Sequence, residues 1–299
     1  MVVFQAILPI FGLIMLGYLL GWRGWLAGEA AAGLANITFK LFMPAVLFTG
    51  IARAQLGDGM SATLLLAYFG PVLTVFVLVA LIAHRLLGRA SPLGLTAAYS
   101  NNVLVGIPLV TTLLGAASLV YVFAILLFHS LVLFSLQSLY NAFGAGQKVN
   151  AAGLLKNLAN PLIVGLLLGA LLNISGWDLP LPIWRVADWL AQAALPCALM
   201  VLGISLSRYR LRPSATALGL ALVKLALFPL LVWSVGRWLP GLSDDALSVL
   251  VLLAACPSGV NVLAFVVNQE DTRAVSSTVF LSTLLAAISL PLWMLLLST

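Results

Sequence analysis

Two short stretches carry the residue types that could do chemistry inside an apolar chain: Tyr99-Ser100-Asn101-Asn102-Val103-Leu104-Val105-Gly106-Ile107-Pro108 and Ala255-Cys256-Pro257-Ser258-Gly259-Val260-Asn261. Each sets amides and hydroxyls beside proline and glycine in the middle of a hydrophobic run. Proline removes a backbone donor and clashes with the preceding turn, while glycine admits dihedrals that other residues resist. A helix carrying both is expected to unwind there. Freed backbone groups are costly in hydrocarbon, so such a break persists only where side chains, water or a ligand satisfy them. Asn101, Asn102, Ser258 and Asn261 have the groups to do so. The chemistry this suggests is binding: half-helix N-termini and amide donors converging on an anionic group, with Gly106, Pro108, Pro257 and Gly259 shaping the backbone. The competing interpretation is two kinked helices whose asparagines serve packing alone.

The ionisable residues narrow the cargo. The eight acids, Glu29, Asp58, Asp178, Asp188, Asp244, Asp245, Glu270 and Asp271, all fall in loops or at helix ends, so no buried carboxylate is expected. That argues against a cation antiporter built on membrane aspartates and against a sodium site with a charged ligand, although neutral oxygens can bind sodium. Lys40, Lys224 and His129 remain inside apolar runs, which suits an anion. Lys224 lies about 18 Å of helix beyond Arg212, where it either meets a substrate carboxylate or caps carbonyls freed at the breaks. Lys40 is read as nearer a helix end, within snorkelling reach of the headgroups, with a part in coupling as the alternative. His129 heads a polar stripe with Ser130, Gln137 and Asn141; it either relays protons or is hydrogen-bonded to a neighbouring helix. No catalytic residue, metal cluster or cofactor is expected: Ser258 has no obvious base, and the two histidines and two cysteines are scattered.

The elements that position these residues follow from composition. Of 299 residues 63% are hydrophobic and 7% charged, with a mean hydropathy of +1.17. A water-soluble surface needs far more charge, so lipid replaces water around most of the chain. Ten runs are each near the length a helix needs to cross a bilayer: Phe4 to Trp22, Gly33 to Ala52, Leu64 to Leu87, Leu93 to Gly115, Leu119 to Phe143, Leu154 to Ile174, Trp189 to Leu206, Ser214 to Trp238, Leu247 to Asn268 and Val275 to Leu297. No basic residue precedes the first run, so it is read as a helix and not a cleaved leader. The net charge of +6 comes from basic residues scattered between these runs, so it speaks to topology and not to nucleic acid. Arg23, Arg85, Arg89, Lys148, Lys156, Arg208, Arg210, Arg212 and Arg273 follow odd-numbered runs, whereas Arg53, Arg185 and Arg237 lie on the other side. The first set of loops is therefore expected in the cytoplasm and both termini outside.

The halves 1–147 and 148–299 echo one another. Pro9 and Gly17 in the first run match Pro161 and Gly169 in the sixth, and Pro44 in the second matches Pro196 in the seventh. Five helices per half reverse the direction of entry, making the repeats inverted. The two amide-rich stretches then fall at equivalent points, in the fourth and ninth runs.

With those motifs in view, the whole chain resembles the auxin efflux carrier family, within the bile acid, arsenite and auxin transporter superfamily. The resemblance rests on Asn101 followed by Gly106 and Pro108, on Pro257-Ser258-Gly259-x-Asn261, and on Phe42-Met43-Pro44-Ala45; Val103 departs from it, standing where the family often has glycine. It implies an all-α membrane fold of ten helices with crossed, broken fourth and ninth helices, a scaffold domain that can dimerise, and a moving transport domain. It also implies a carboxylate cargo, auxins in plants and malonate-like acids in bacteria. The expectation is a secondary transporter of small organic anions in the inner membrane. A sodium- or proton-coupled symporter of other substrates, or a sensor retaining the carrier fold, is the alternative.

Overall fold

Residues of this hydropathy can satisfy their backbones in lipid only by coiling, and helices account for nearly all of the described structure. The computed structural model describes residues 2–54, 61–145, 161–209 and 214–297. The expected start of the sixth run at Leu154, the boundary at 147/148, and Asp58, Lys148, Lys156, Arg210 and Arg212 lie outside the described residues.

The helices are α1 (Val2–Trp22), α2 (Gly28–Ala52), α3 (Ala62–Leu87), α4 (Leu93–Ala98), α5 (Ile107–Leu114), α6 (Leu119–Ala145), α7 (Pro161–Ser175), α8 (Leu181–Ser207), α9 (Ala215–Trp238), α10 (Asp244–Ala255) and α11 (Gln269–Leu297). Six stretches are long and apolar enough to cross a bilayer by themselves: α2, α3, α8, α9, α11 and residues Leu119–Phe143 of α6. Ile7–Trp22, Asn102–Leu114 and Pro161–Ser175 are shorter apolar helices. Among the described residues there is no β-strand, only one isolated antiparallel bridge between Ser100 and Ser258.

Several boundaries differ from expectation. The second helix begins at Gly28, the seventh run at Leu181 and the last at Gln269, because charged residues at helix ends are tolerated where they reach interface or partners. The ninth run is α-helical only to Ala255; a short 3-10 stretch, Val260–Phe265, follows the break.

Prolines are accommodated by a recurring device. Pro44, Pro108 and Pro229 each follow a five-residue π turn, at Thr38–Phe42, Asn102–Gly106 and Val223–Leu227. In each, the amide just before the proline bonds a carbonyl five residues back: Met43 to Thr38, Ile107 to Asn102 and Phe228 to Val223. The wider turn makes room for the ring and rehouses a carbonyl that would lack its usual donor. Lys40, Asn102 and Lys224 all sit in these turns.

Glycines set the closest helix approaches. A Cβ on Gly17 of α1 would overlap the Met200 backbone of α8, and one on Gly203 of α8 would overlap the Ile14 carbonyl of α1. On the other side, Gly165 and Gly169 of α7 lie against the Pro44 and Phe48 backbones of α2. Small residues let lipid-embedded helices gain dispersion energy at short range.

Candidate binding site at the paired helix breaks

The chain leaves helical geometry at Tyr99–Asn101 and again at Cys256–Gly259, and the two breaks pair with each other. Asn101 N donates to the Pro257 carbonyl at 2.9 Å and Gly259 N to the Tyr99 carbonyl at 3.1 Å. Backbone groups that each break frees thus satisfy the other. The break in the fourth run lies several residues before Gly106 and Pro108, which instead belong to a π turn and to α5. The glycines are needed for space, not for unusual dihedrals: Gly106 has φ −64 and Gly259 φ −75. A Cβ on Gly259 would meet the Tyr99 ring at 2.6 Å, and one on Gly106 would meet Leu253 at 2.8 Å.

Side chains finish the junction. Ser258 Oγ donates to the Thr96 carbonyl at 2.7 Å, and Ser258 N donates to Ser282 Oγ at 3.1 Å. Lys224 Nζ donates to the Ala254 carbonyl at 2.5 Å and to Ser100 Oγ at 2.7 Å, with the Phe228 ring 4.6 Å away. Thr96 and Ala254 each stand four residues before the serine at their break, so their carbonyls have lost the usual helical donor. Lys224, fully buried, takes the carbonyl-capping place of its two expected alternatives. Ser100 N donates to His129 Nε2 at 3.3 Å.

A cavity of about 420 Å³ lies beside this junction, lined by Lys40, Tyr99, Asn101, Asn102, His129 and Asn261, with Phe39, Phe134 and Val260 among its apolar wall. Gly106, Pro108, Pro257, Ser258, Gly259 and Lys224 are off its wall; Pro257, Ser258, Gly259 and Lys224 hold the junction instead. Asn101 Oδ1 accepts from Leu104 N at 3.3 Å, capping the following turn, which leaves its Nδ2 buried without a protein partner. Asn102 Nδ2 donates to Tyr68 Oη at 3.0 Å, leaving its Oδ1 likewise unmatched. Because His129 Nε2 accepts, the neutral ring carries its proton on Nδ1, a third unmatched buried group. All three residues line the cavity, and buried polar atoms without a protein partner call for a water, a guest or a local rearrangement.

The stripe below His129 docks α6 onto the broken run. Ser130 Oγ lies 2.9 Å from Tyr99 Oη, and Gln137 Nε2 donates to the Ser91 carbonyl at 3.3 Å and to Asn141 Oδ1 at 2.7 Å. Tyr99 is clamped between His129 and Phe134, ring centroids 4.7 and 4.9 Å away. Lys40 lies at the centre of α2, twelve residues or about 18 Å of helix from each end.

Toward the other end, a cavity of about 790 Å³ is lined by Gly50, Arg53, Thr111, Tyr121, Asp188 and Gln192. Arg53 grips Asp188 with two bonds of 2.8 and 3.0 Å, and its guanidinium lies 4.1 Å from the Trp184 ring centre. Between the positions that line the two cavities in the same helices, Met43, Val105 and Phe123 are buried to 2% exposure or less. One expectation about acids is corrected: Asp271, at the start of α11, is 4% exposed. Arg89 reaches it across the fold at 2.7 and 3.1 Å, and Asn268 Nδ2 at 2.9 Å. The carboxylate in turn holds the Arg89 guanidinium above its ordinary range, chiefly through those hydrogen bonds.

A family model described as "Membrane transport protein" matches residues 2–150 and 145–294, almost the full length. The chain belongs to this family. The resemblance to auxin efflux carriers is thereby borne out, and the protein is a multi-pass membrane transporter and not an enzyme. Among relatives of this transport family, it is 32% identical over 295 residues to the "Putative malonate transporter" of Rhizobium meliloti, covering 94% of this chain and 91% of that one. It is 30% identical over 303 residues to an "Uncharacterized transporter" of Methanothermobacter thermautotrophicus, covering 97% and 96%. A region of the mouse "Lysosomal cholesterol signaling protein" is 26% identical over 251 residues, covering 76% of this chain but 29% of the mouse protein.

Proposed function

We propose that this transporter carries small organic carboxylates across a bacterial inner membrane by alternating access, binding them in the cavity beside the paired breaks. The observation that carries the reading is Asn101: the residue lines the cavity, and its buried Nδ2 has no protein partner while Oδ1 caps the next turn. A carboxylate supplies the acceptor that is missing. The name of the Rhizobium relative supports a malonate-like cargo.

The mechanism follows from the layers. Two cavities are lined by α2, α6 and the 101–111 run, and Met43, Val105 and Phe123, which fall between their lining positions along those stretches, are buried. Displacement of the junction against α2 and α8 would close one cavity and open the other. We read the fold as ten crossings in two inverted five-helix repeats, 1–147 and 148–299, with both termini periplasmic. Reciprocal packing of α1 on α8 and of α7 on α2 supports this, as does the matched use of Ser100 and Ser258. A homodimer through the scaffold helices is part of the same proposal.

Purified protein in liposomes is expected to take up radiolabelled malonate or another short carboxylate saturably, and Asn101→Ala and Asn261→Ala are expected to cut that uptake at least tenfold. Undiminished uptake by both variants would move the site elsewhere.

A further inference from the structure

We propose that Lys40 is the charged group that holds the substrate's carboxylate, and that Arg208, on a neighbouring cavity that shares part of the wall, draws the anion toward it. The inference rests on the carrier reading and names its principal contact. Lys40 occupies the π turn Thr38–Phe42 at the centre of α2 and lines the same cavity as Asn101, Asn102 and Asn261. Among the described residues it makes no ion pair or hydrogen bond, and no other lysine or arginine lines that wall. An ammonium about 18 Å from both helix ends is costly in a membrane unless an anion meets it. Asn101, which lines the same cavity, is 5% exposed and its Nδ2 is buried without a protein partner. A point charge and amide-bearing side chains lining one cavity suit a carboxylate.

The π turn aims this cation. One extra residue in the turn rotates everything after it by about 100° relative to an ordinary helix. In α2 the widening begins at Thr38, whose hydroxyl donates to the Leu34 carbonyl at 2.7 Å, and Lys40 lies inside it.

The approach is lined as well. A second cavity of about 190 Å³ shares Phe39, Leu104 and Val260 with the first and reaches Arg208, just beyond the end of α8. Arg208 is exposed and has no ion-pair partner among the described residues. Two unpaired cations on neighbouring cavities with a shared wall suit an anion's approach: the outer one raises its local concentration and the inner one retains it.

The test uses full-length protein, with equilibrium binding of radiolabelled malonate and propionate in detergent and uptake in liposomes, for wild type, Lys40→Gln, Lys40→Arg, Arg208→Gln and Asn101→Ala. Lys40→Gln is expected to weaken binding about tenfold or more at an unchanged melting temperature, and Lys40→Arg to restore most of it. Arg208→Gln is expected to leave equilibrium affinity within about twofold while slowing initial uptake at low ionic strength, a defect that fades near 0.5 M salt, where screening falls to a few ångströms. Wild-type affinity in Lys40→Gln, with binding lost in Asn101→Ala, would overturn Lys40 as the anchor and leave the carrier reading intact. Wild-type initial uptake in Arg208→Gln at low ionic strength, or a defect that persists undiminished near 0.5 M salt, would remove the steering role. No binding of either acid by wild type would bring down both the anchor and the carboxylate reading.

Discussion

Lys224 Nζ closes the C-terminal end of α10 through a 2.5 Å hydrogen bond to the Ala254 carbonyl, so a cation from α9 completes a helix it does not belong to. The negative end of the α10 dipole and the Ser100 hydroxyl together offset the cost of burying the ammonium. The lysine is thus part of the junction's framework.

Replacing Lys224 with Met should therefore act on stability first. It strands the Ala254 carbonyl and removes a donor from Ser100, at about 1–3 kcal/mol for each buried group left unmatched. Thermal unfolding in detergent should show a clear drop in melting temperature with malonate present or absent. A variant of wild-type stability that had lost only ligand binding would make Lys224 a substrate contact instead.

Gly259→Ala is expected to disturb the cavity from behind. The new methyl would press on Tyr99 at 2.6 Å, and the ring can yield only by leaving its place between His129 and Phe134. Overpacking of this kind costs about 1–3 kcal/mol. Uptake should fall with it, and Tyr99→Leu in the Gly259→Ala background should recover part of the stability. Failure of that rescue in chemical denaturation would mean the clash is relieved elsewhere.

The Arg89–Asp271 pair ties the loop before α4 to the start of α11. A double-mutant cycle of Arg89→Gln and Asp271→Asn is expected to give a coupling of about 1.5–3 kcal/mol, because the carboxylate is buried and bonded twice. The exposed Arg237–Asp244 pair, 3.8 Å apart, should give a coupling below about 1 kcal/mol. Equal couplings would mean that burial of Asp271 adds nothing.

Ser258→Ala removes the hydroxyl that caps the Thr96 carbonyl at 2.7 Å. Loss of about 1–2 kcal/mol is expected, read as a lower unfolding midpoint. Ser175→Ala, whose hydroxyl bonds the Leu172 carbonyl at an exposed helix end, should shift that midpoint little.

What the sequence determined by itself is what depends on residues one at a time or on near neighbours. Hydropathy adds along the chain, so the lipid environment and most helices were legible from composition and run length. The Asn101 and Asn261 stretches were recognisable because proline, glycine and amides in hydrocarbon are locally costly. Asn101, Asn102 and Asn261 do line the cavity, whereas Gly106, Pro108, Pro257, Ser258, Gly259 and Lys224 are off its wall. Tertiary structure decided that division, and the two lysines show why. Which face a side chain presents depends on every turn before it, and the π turns at Thr38–Phe42 and Val223–Leu227 change that phase by about 100° each. Which partner it then meets depends on helices far away in sequence. Lys224 found a carbonyl and a hydroxyl and became structure; Lys40 found a cavity and kept its charge free.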